Sequence, residues 1–396
     1  MQPRAVTGLG IVSTVGIGRD AFFRALVAPE LLRDRAIKPV ESFDAKEYPG
    51  AAVAEICEFD PTKYLGDKGL RSLDRLTKML VVAARLALHD AGLKKDGAFV
   101  NFSPDRVGIC CSNAYGSLEA ITELNRVAVL EDARYINPSK FPNTVSNSAS
   151  GYASIWEDLR ALNVSVSDGN CGALDAVACA DIYLETDRAD ALLVGGAEAM
   201  SEALFLAFRR FGAPIVTATA STLLGEGAAL AVLEPLEKAE ARGAHVLGVV
   251  TGYGTAFVAP PNDNSLISAS ADSLERAIRN ALEESGTLAS SIDIVASSVA
   301  GYPMFDDAEL DAITRVLGED AVVAAPKAFL GETLGAGGAM AMAVAFAWMN
   351  GAKPTPIVRG KFKEHRIETV LVTSMGFYGN ASAVVLRKAT QVQERK

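Results

Sequence analysis

Apolar residues along this chain fall into two alternating kinds of segment. Short, nearly unbroken apolar runs at Ala5–Gly8, Val107–Cys111, Ala191–Val194 and Ala229–Leu233 predict buried strands, the third closed by Gly195-Gly196. Longer stretches repeat every three to four residues. The clearest is Leu73–Leu93, with its stop signal at Ala91-Gly92. The segment Ala336–Trp348 is rich in Ala, Gly and Met and predicts a helix buried on all sides. Strands alternating with helices predict an α/β architecture with covered sheets.

The pattern also repeats. Val6-Thr7-Gly8-Leu9-Gly10 returns as Val250-Thr251-Gly252-Tyr253-Gly254. A helix ending at Ala87–Leu93 leads to the strand at Val107–Cys111, and a helix ending at Ala281–Leu288 leads to a strand at Ile292–Ala296. Order and type agree while spacing differs, which points to a duplicated core. The charged, helix-like segment Pro235–Gly243 divides the chain into halves 1–240 and 241–396.

Composition narrows the class. The 396 residues, 49% hydrophobic and 22% charged, amount to two or three domain-sized units and exclude disorder. A net charge of −10 argues against a nucleic-acid binder held by phosphate contacts. The five cysteines, Cys57, Cys110, Cys111, Cys171 and Cys179, are too few and too irregular for a disulfide framework or a zinc site. No metal or other cofactor is expected. No basic-then-apolar signal pattern precedes the first strand, and no apolar run reaches the roughly 18 residues of a membrane span, so a cytoplasmic protein without a membrane partner is expected. Histidine is scarce: His89, His245 and His365 are the full set, and each reads as a surface or satisfied residue.

A resemblance extends this picture over nearly the whole length. The opening Val6–Gly10 with Gly16, Asp74-Arg75 with Ala83–Leu93, Val194–Glu198, Gly225–Ala228, Lys327–Gly331, Leu334–Gly338 and Ser374–Asn380 resemble, in order and spacing, the β-ketoacyl synthases of the thiolase superfamily. The resemblance implies a duplicated, five-layered α/β/α/β/α fold, an obligate dimer, and acyl chains delivered on acyl carrier protein. It also implies decarboxylative condensation by one cysteine nucleophile and two histidines that act as donors to developing negative charge.

Carried over residue by residue, that machinery is missing. The segment Asp168–Val177 resembles the nucleophile elbow. Matching Leu174–Val177 without a gap puts Asn170 at the nucleophile position, and a one-residue insertion would put Cys171 there; both placements stay open. Ala300, in Val299-Ala300-Gly301-Tyr302, stands where the first histidine belongs, and Glu332, after Lys327-Ala328-Phe329-Leu330-Gly331, stands where the second belongs. A methyl group donates no hydrogen bond, and a carboxylate repels an oxyanion. Lys327 is retained, but its acidic partner on the next helix is replaced by Ala341, so the ion pair is expected to be lost. The charged stretch that active members carry between Phe211 and Gly225 is replaced by the short segment Ala213–Leu224.

Loss at all three positions within an intact framework resembles the chain-length factor, or ketosynthase-β subunit, of type II polyketide synthases. Such a subunit pairs with a competent ketosynthase and shapes its acyl tunnel. The strand Asn163–Ser167 is expected to pair across the dimer axis. Tyr115 aligns with a pocket residue, and Leu118 and Thr122 follow at helical spacing, so the three are expected to form one length-gating face. Gly376, Phe377 and Tyr378 resemble the gating loop, with Tyr378 in place of a glycine, which predicts a stiffer gate. Arg209 and Arg210 are candidate carrier-protein contacts. Two other readings stand beside this one: an acyltransferase or thioesterase that uses Cys171, and a homodimeric acyl-binding or carrier-binding module.

Overall fold

Two glycine pairs set the framework. The first strand, β1 (Arg4–Ser13), is buried along its whole length and packs under the helix α1 (Arg75–Asp90). The approach is so close that a Cβ on Gly10 would lie 1.8 Å from the carbonyl oxygen of Ala83. The strand β6 (Gly248–Phe257) meets the helix α6 (Ala271–Ser285) in the same way, and a Cβ on Gly254 would lie 2.2 Å from the carbonyl oxygen of Ala277. Each strand slips register at the same point of its motif, β1 between Val6 and Gly8, β6 between Val250 and Gly252.

The computed structural model describes residues 1–28, 32, 36–48, 51–210, 223–262 and 267–389. After β1 the first half contributes β2 (Val107–Ser112), β3 (Asn163–Val166), β4 (Ala191–Glu198) and β5 (Gly227–Pro235). The second half contributes β6, then β7 (Ile294–Ala296), β8 (Val323–Ala324), β9 (Ile357–Arg359), β10 (Thr369–Met375) and β11 (Asn380–Arg387). The lateral order is β9-β8-β7-β10-β11-β6-β1-β5-β4-β2-β3. Read outward from the central antiparallel β1–β6 pair, β1-β5-β4-β2-β3 mirrors β6-β11-β10-β7-β8. The strand directions agree too: β2 lies parallel between β3 and β4, as β7 lies parallel between β8 and β10.

Two helices are sandwiched between the halves. The helix α4 (Gly172–Glu185) packs on β2 and β4 and also on β6 and β11, while α8 (Gly337–Met349) packs on β4 and β5 and also on β7 and β10. Every residue of α8 is buried, and its Ala, Gly and Met side chains let both sheet halves approach. The helices α1 and α3 (Ser148–Glu157) cover one outer face, α6 and α7 (Pro303–Leu317) the other. This is a five-layered α/β/α/β/α arrangement.

Boundaries differ from the sequence pattern where packing overrides composition. The first strand runs to Ser13 rather than Gly8, and β4 continues through Gly195-Gly196 to Glu198. Those glycines do not stop the strand; they admit close neighbours, since a Cβ on Gly196 would lie 2.2 Å from the carbonyl oxygen of Gly335. The helix expected over 73–93 spans Arg75–Asp90, capped by the Asp74 carboxylate, which accepts from Thr77 N at 2.7 Å. Among the described residues no helix is long and apolar enough to cross a membrane.

Candidate functional site

The carboxyl ends of the parallel strands are where an α/β sheet presents its site. Here β2 ends at Ser112, β4 at Glu198, β7 at Ala296 and β10 at Met375, and the candidate residues gather beyond them.

The elbow between β3 and α4 is the tight turn Gly169–Cys171. Gly169 takes φ 55°, and a Cβ on Gly172 would fall 2.2 Å from Ser112 Oγ, so both glycines are required. Asn170 and Cys171 are both buried. Asn170 Nδ2 donates to the Met375 carbonyl at 3.4 Å, and its own carbonyl accepts from Ser374 Oγ at 2.7 Å. Cys171 Sγ donates to the Ser374 carbonyl at 3.5 Å. Burial pushes the Cys171 thiol well up, and the neighbouring Asp175 and Asp168 charges push it further. A thiolate is the reactive form, and this environment opposes it.

The loop after β7 is held by two carboxylates. Asp306 accepts from Ala300 N at 2.9 Å and Gly301 N at 2.7 Å; burial raises this carboxyl to about 6, against the pull of those amides. Glu309 accepts from Ser298 N, Ser298 Oγ and Thr373 Oγ1, which ties the loop to β10. Ala300 brings only a methyl group to this loop.

Lys327 and Glu332 correct an expectation. Lys327 has not lost its ion pair: its ammonium lies 2.7 Å from Glu332 Oε2, and both side chains are buried. The second Glu332 oxygen accepts from Leu334 N at 2.9 Å. Glu332 has thus become the partner that Ala341 cannot be.

The expected length-gating face is also corrected. Tyr115 lies outside the helix α2 (Leu118–Val127), in a turn containing Gly116 at φ 64°. Leu118 is half-buried against a cluster with Phe205, Phe208, Leu334, Tyr302 and Phe377, whereas Thr122 is exposed and lines a separate open groove of about 900 Å³ with Lys78 and Asn143. The helix starts only at Leu118, so Tyr115 stands off the helical stretch that holds Leu118 and Thr122.

Phe377 sits in an aromatic cluster. Its ring lies 5.1 Å from Phe305, 6.1 Å from Phe208 and 6.3 Å from Tyr302, all edge-on. Gly376 N donates to the Asn380 carbonyl at 2.8 Å, and Tyr378 is half-exposed beside them.

Sequence reasoning missed Glu198, Asp306, Glu309 and Tyr302. Glu198, at the end of β4, accepts from Ala114 N at 2.7 Å, Gly335 N at 3.3 Å and Tyr115 N at 3.5 Å; burial raises its carboxyl to about 7. An acidic residue closing an otherwise apolar strand, and an acidic pair three apart opening α7, were the available signals. His89, His245 and His365 are all exposed, away from this cluster. Arg209 and Arg210 are exposed, Arg209 over the Tyr48 ring at 5.1 Å. Of the segment Ala213–Leu224, residues 213–222 lie outside the described residues. Among the described residues no group of three or more His, Cys, Asp or Glu could hold a metal ion.

The side chains set against the family's reactive positions are the Asn170 carboxamide or the adjacent Cys171 thiol, the Ala300 methyl group and the Glu332 carboxylate paired with Lys327. Comparison with known proteins gives the setting. Residues 1–239 match the family model of the β-ketoacyl synthase N-terminal domain, and residues 247–359 that of the C-terminal domain. The chain is 28% identical to 3-oxoacyl-[acyl-carrier-protein] synthase 2 of Coxiella burnetii, over 97% of this chain and 98% of that one. It is 29% identical to the tetracenomycin polyketide synthase ketoacyl synthase beta subunit of Streptomyces glaucescens, over 98% of each. Among solved structures, the ishigamide ketosynthase/chain length factor superposes with a TM-score of 0.86 at 25% identity, covering 98% of this chain and 99% of that one.

Proposed function

The chain belongs to the β-ketoacyl synthase family, and on that premise we propose that it is a non-catalytic chain-length factor. It would pair with a competent ketosynthase, shape that partner's acyl tunnel in type II polyketide biosynthesis, and meet acyl carrier protein as part of the pair. The observation that carries this is the fate of the three reactive positions: Asn170, Ala300 and Glu332 are each built into structural contacts, with Glu332 locked to Lys327. The likeness to a ketoacyl synthase beta subunit and to a ketosynthase/chain length factor supports it. A Cys171-dependent acyltransferase or thioesterase is opposed by the burial of that thiol between Ser374 and Asp175.

The surface suits a partner. The strand β3 is the last of the sheet, covered on its two faces by α3 and α4, whose Ile155 and Ile182 are exposed. Val129, Leu130, Tyr135 and Phe141 are exposed on the segment after α2. An open strand edge flanked by apolar side chains is a pairing surface, and obligate interfaces bury roughly 2,000–5,000 Å². The division into halves at 240/241 and residence in the cytoplasm are part of the same proposal.

The test is co-expression with a candidate ketosynthase, followed by purification and intact-mass readout of acyl loading. One-to-one copurification with acylation of the partner alone is expected. A chain that purifies by itself and takes up acyl groups on Cys171 would overturn the proposal.

A further inference from the structure

The helix α8 ends far from where it starts. Its first residue, Gly337, lies by the site, where an added Cβ would be 3.4 Å from Lys327 Cε. Its 13 residues carry the chain about 20 Å along the helix axis, and the last turn lines a cavity of about 630 Å³. Trp348 lines this cavity, is 2% exposed, and its indole N–H has no hydrogen-bond partner among the described residues. Lys388, directly after β11, lines it too. The Lys388 ammonium donates at 2.7 Å to the carbonyl of Met349, the residue next to Trp348, and forms no ion pair among the described residues. Burial and the nearby Arg366 charge push that ammonium down, against the pull of Glu368. The other charges of the lining already have partners. Lys353 lies 3.1 Å from Glu364, Arg366 2.9 Å from Glu368, and His365 3.1 Å from Asp293. Glu364 is the only carboxylate in the lining. Phe362 and His365, on the loop between β9 and β10, add two rings with centroids 5.3 Å apart.

A buried donor without an acceptor is costly, and so is a half-buried ammonium without a counter-ion. The indole can only donate and the ammonium can only donate, so both call for the same kind of group. A carboxylate has lone pairs enough for the two. The volume is that of a small-molecule site, and rings beside a methionine suit a flat apolar body. We propose that this cavity binds a small aromatic carboxylic acid, with its carboxylate on the Lys388 ammonium and the Trp348 indole N–H and its ring against Phe362 and Met349. The site lies at the opposite end of α8 from Lys327 and Glu332, and it stands whether or not the chain is a chain-length factor.

The chain holds two tryptophans, Trp156 and Trp348, so a proton–nitrogen correlation spectrum of its indoles carries two signals, assigned with Trp156→Phe. Titrating the full chain with 2-naphthoate should move the Trp348 signal to saturation and leave that of Trp156 in place. Naphthalene-2-carboxamide, with the same ring and no charge, should bind at least about tenfold more weakly, the worth of one charge-assisted hydrogen bond. Lys388→Met should weaken naphthoate by a similar factor and leave the carboxamide unchanged. No saturable shift at Trp348, or a shift shared by Trp156, overturns the site. Equal binding of acid and amide overturns the recognition of a carboxylate. That comparison uses the wild-type chain, so it decides the matter even where Lys388→Met fails to fold.

Discussion

The ammonium of Lys327 and the carboxylate of Glu332 lie 2.7 Å apart, five residues apart in sequence, with side-chain exposures of 6% and 1%. Buried charges are tolerated only when paired and hydrogen-bonded. Here the pair, with Leu334 N on the second carboxylate oxygen, settles a loop that in this family is implied to serve chemistry.

Breaking that pair from one side should be costly. Lys327→Met leaves a buried carboxylate with one backbone donor, and the expected loss is about 3–5 kcal/mol. The double variant Lys327→Met/Glu332→Gln should recover most of it. Urea unfolding of the three proteins reads both effects. A single variant as stable as wild type would show that the pair carries no structural weight.

Thiol chemistry should ignore the elbow. Cys57 is exposed, whereas Cys171 is buried and its thiol is pushed up by desolvation. Timed alkylation with peptide mapping should modify Cys57 in the native chain and reach Cys171 only on unfolding. Native labelling at Cys171 that precedes Cys57 would revive it as a nucleophile.

The two glycine crossings should fail alike. Gly10→Ala and Gly254→Ala each drive a methyl into a helix carbonyl, which costs at least about 1–3 kcal/mol as over-packing. Gly151→Ala, inside α3 with open space around it, should instead stabilise by about 0.5–1 kcal/mol. Thermal melts of the three variants distinguish a packing role from a merely permissive one.

Stability should fall as pH rises from about 4 to 7. Burial raises Glu198 and Asp175 to about 7 and Asp306 to about 6. Each therefore binds its proton more tightly folded than unfolded. The native state holds more protons across that window, so the stabilisation is full below the ordinary carboxyl range and is lost as pH climbs through the folded values. The loss is on the order of 1–3 kcal/mol per group. Melting temperatures across pH 4–8 should decline, and Glu198→Gln should flatten the decline even where it lowers the curve as a whole.

Much of this was legible in one dimension. The Val-Thr-Gly-x-Gly repeat announced the two strands that now pair at the centre of the sheet, and the apolar helix at 336–348 announced the middle layer. Motif matching set Asn170 or Cys171, Ala300 and Glu332 against the family's reactive positions, since residue identity needs no coordinates. The illegible parts all depended on which segments meet. The ion pair of Lys327 was misjudged because the expected partner position, 341, was searched rather than the substituted position, 332. The stripe of Tyr115, Leu118 and Thr122 assumed one helix, and the positive φ at Gly116 ended that assumption.

What the sequence alone determined was the layer pattern and the duplication, because periodicity and residue type are local properties. What only the tertiary structure decided was the fate of each substituted group. Cys171 became a buried thiol donating to the Ser374 carbonyl, Glu332 a counter-ion to Lys327, and Tyr115 a residue whose backbone amide donates to Glu198. Burial and charge pairing are set by neighbours drawn from distant segments, and no linear pattern carries those distances.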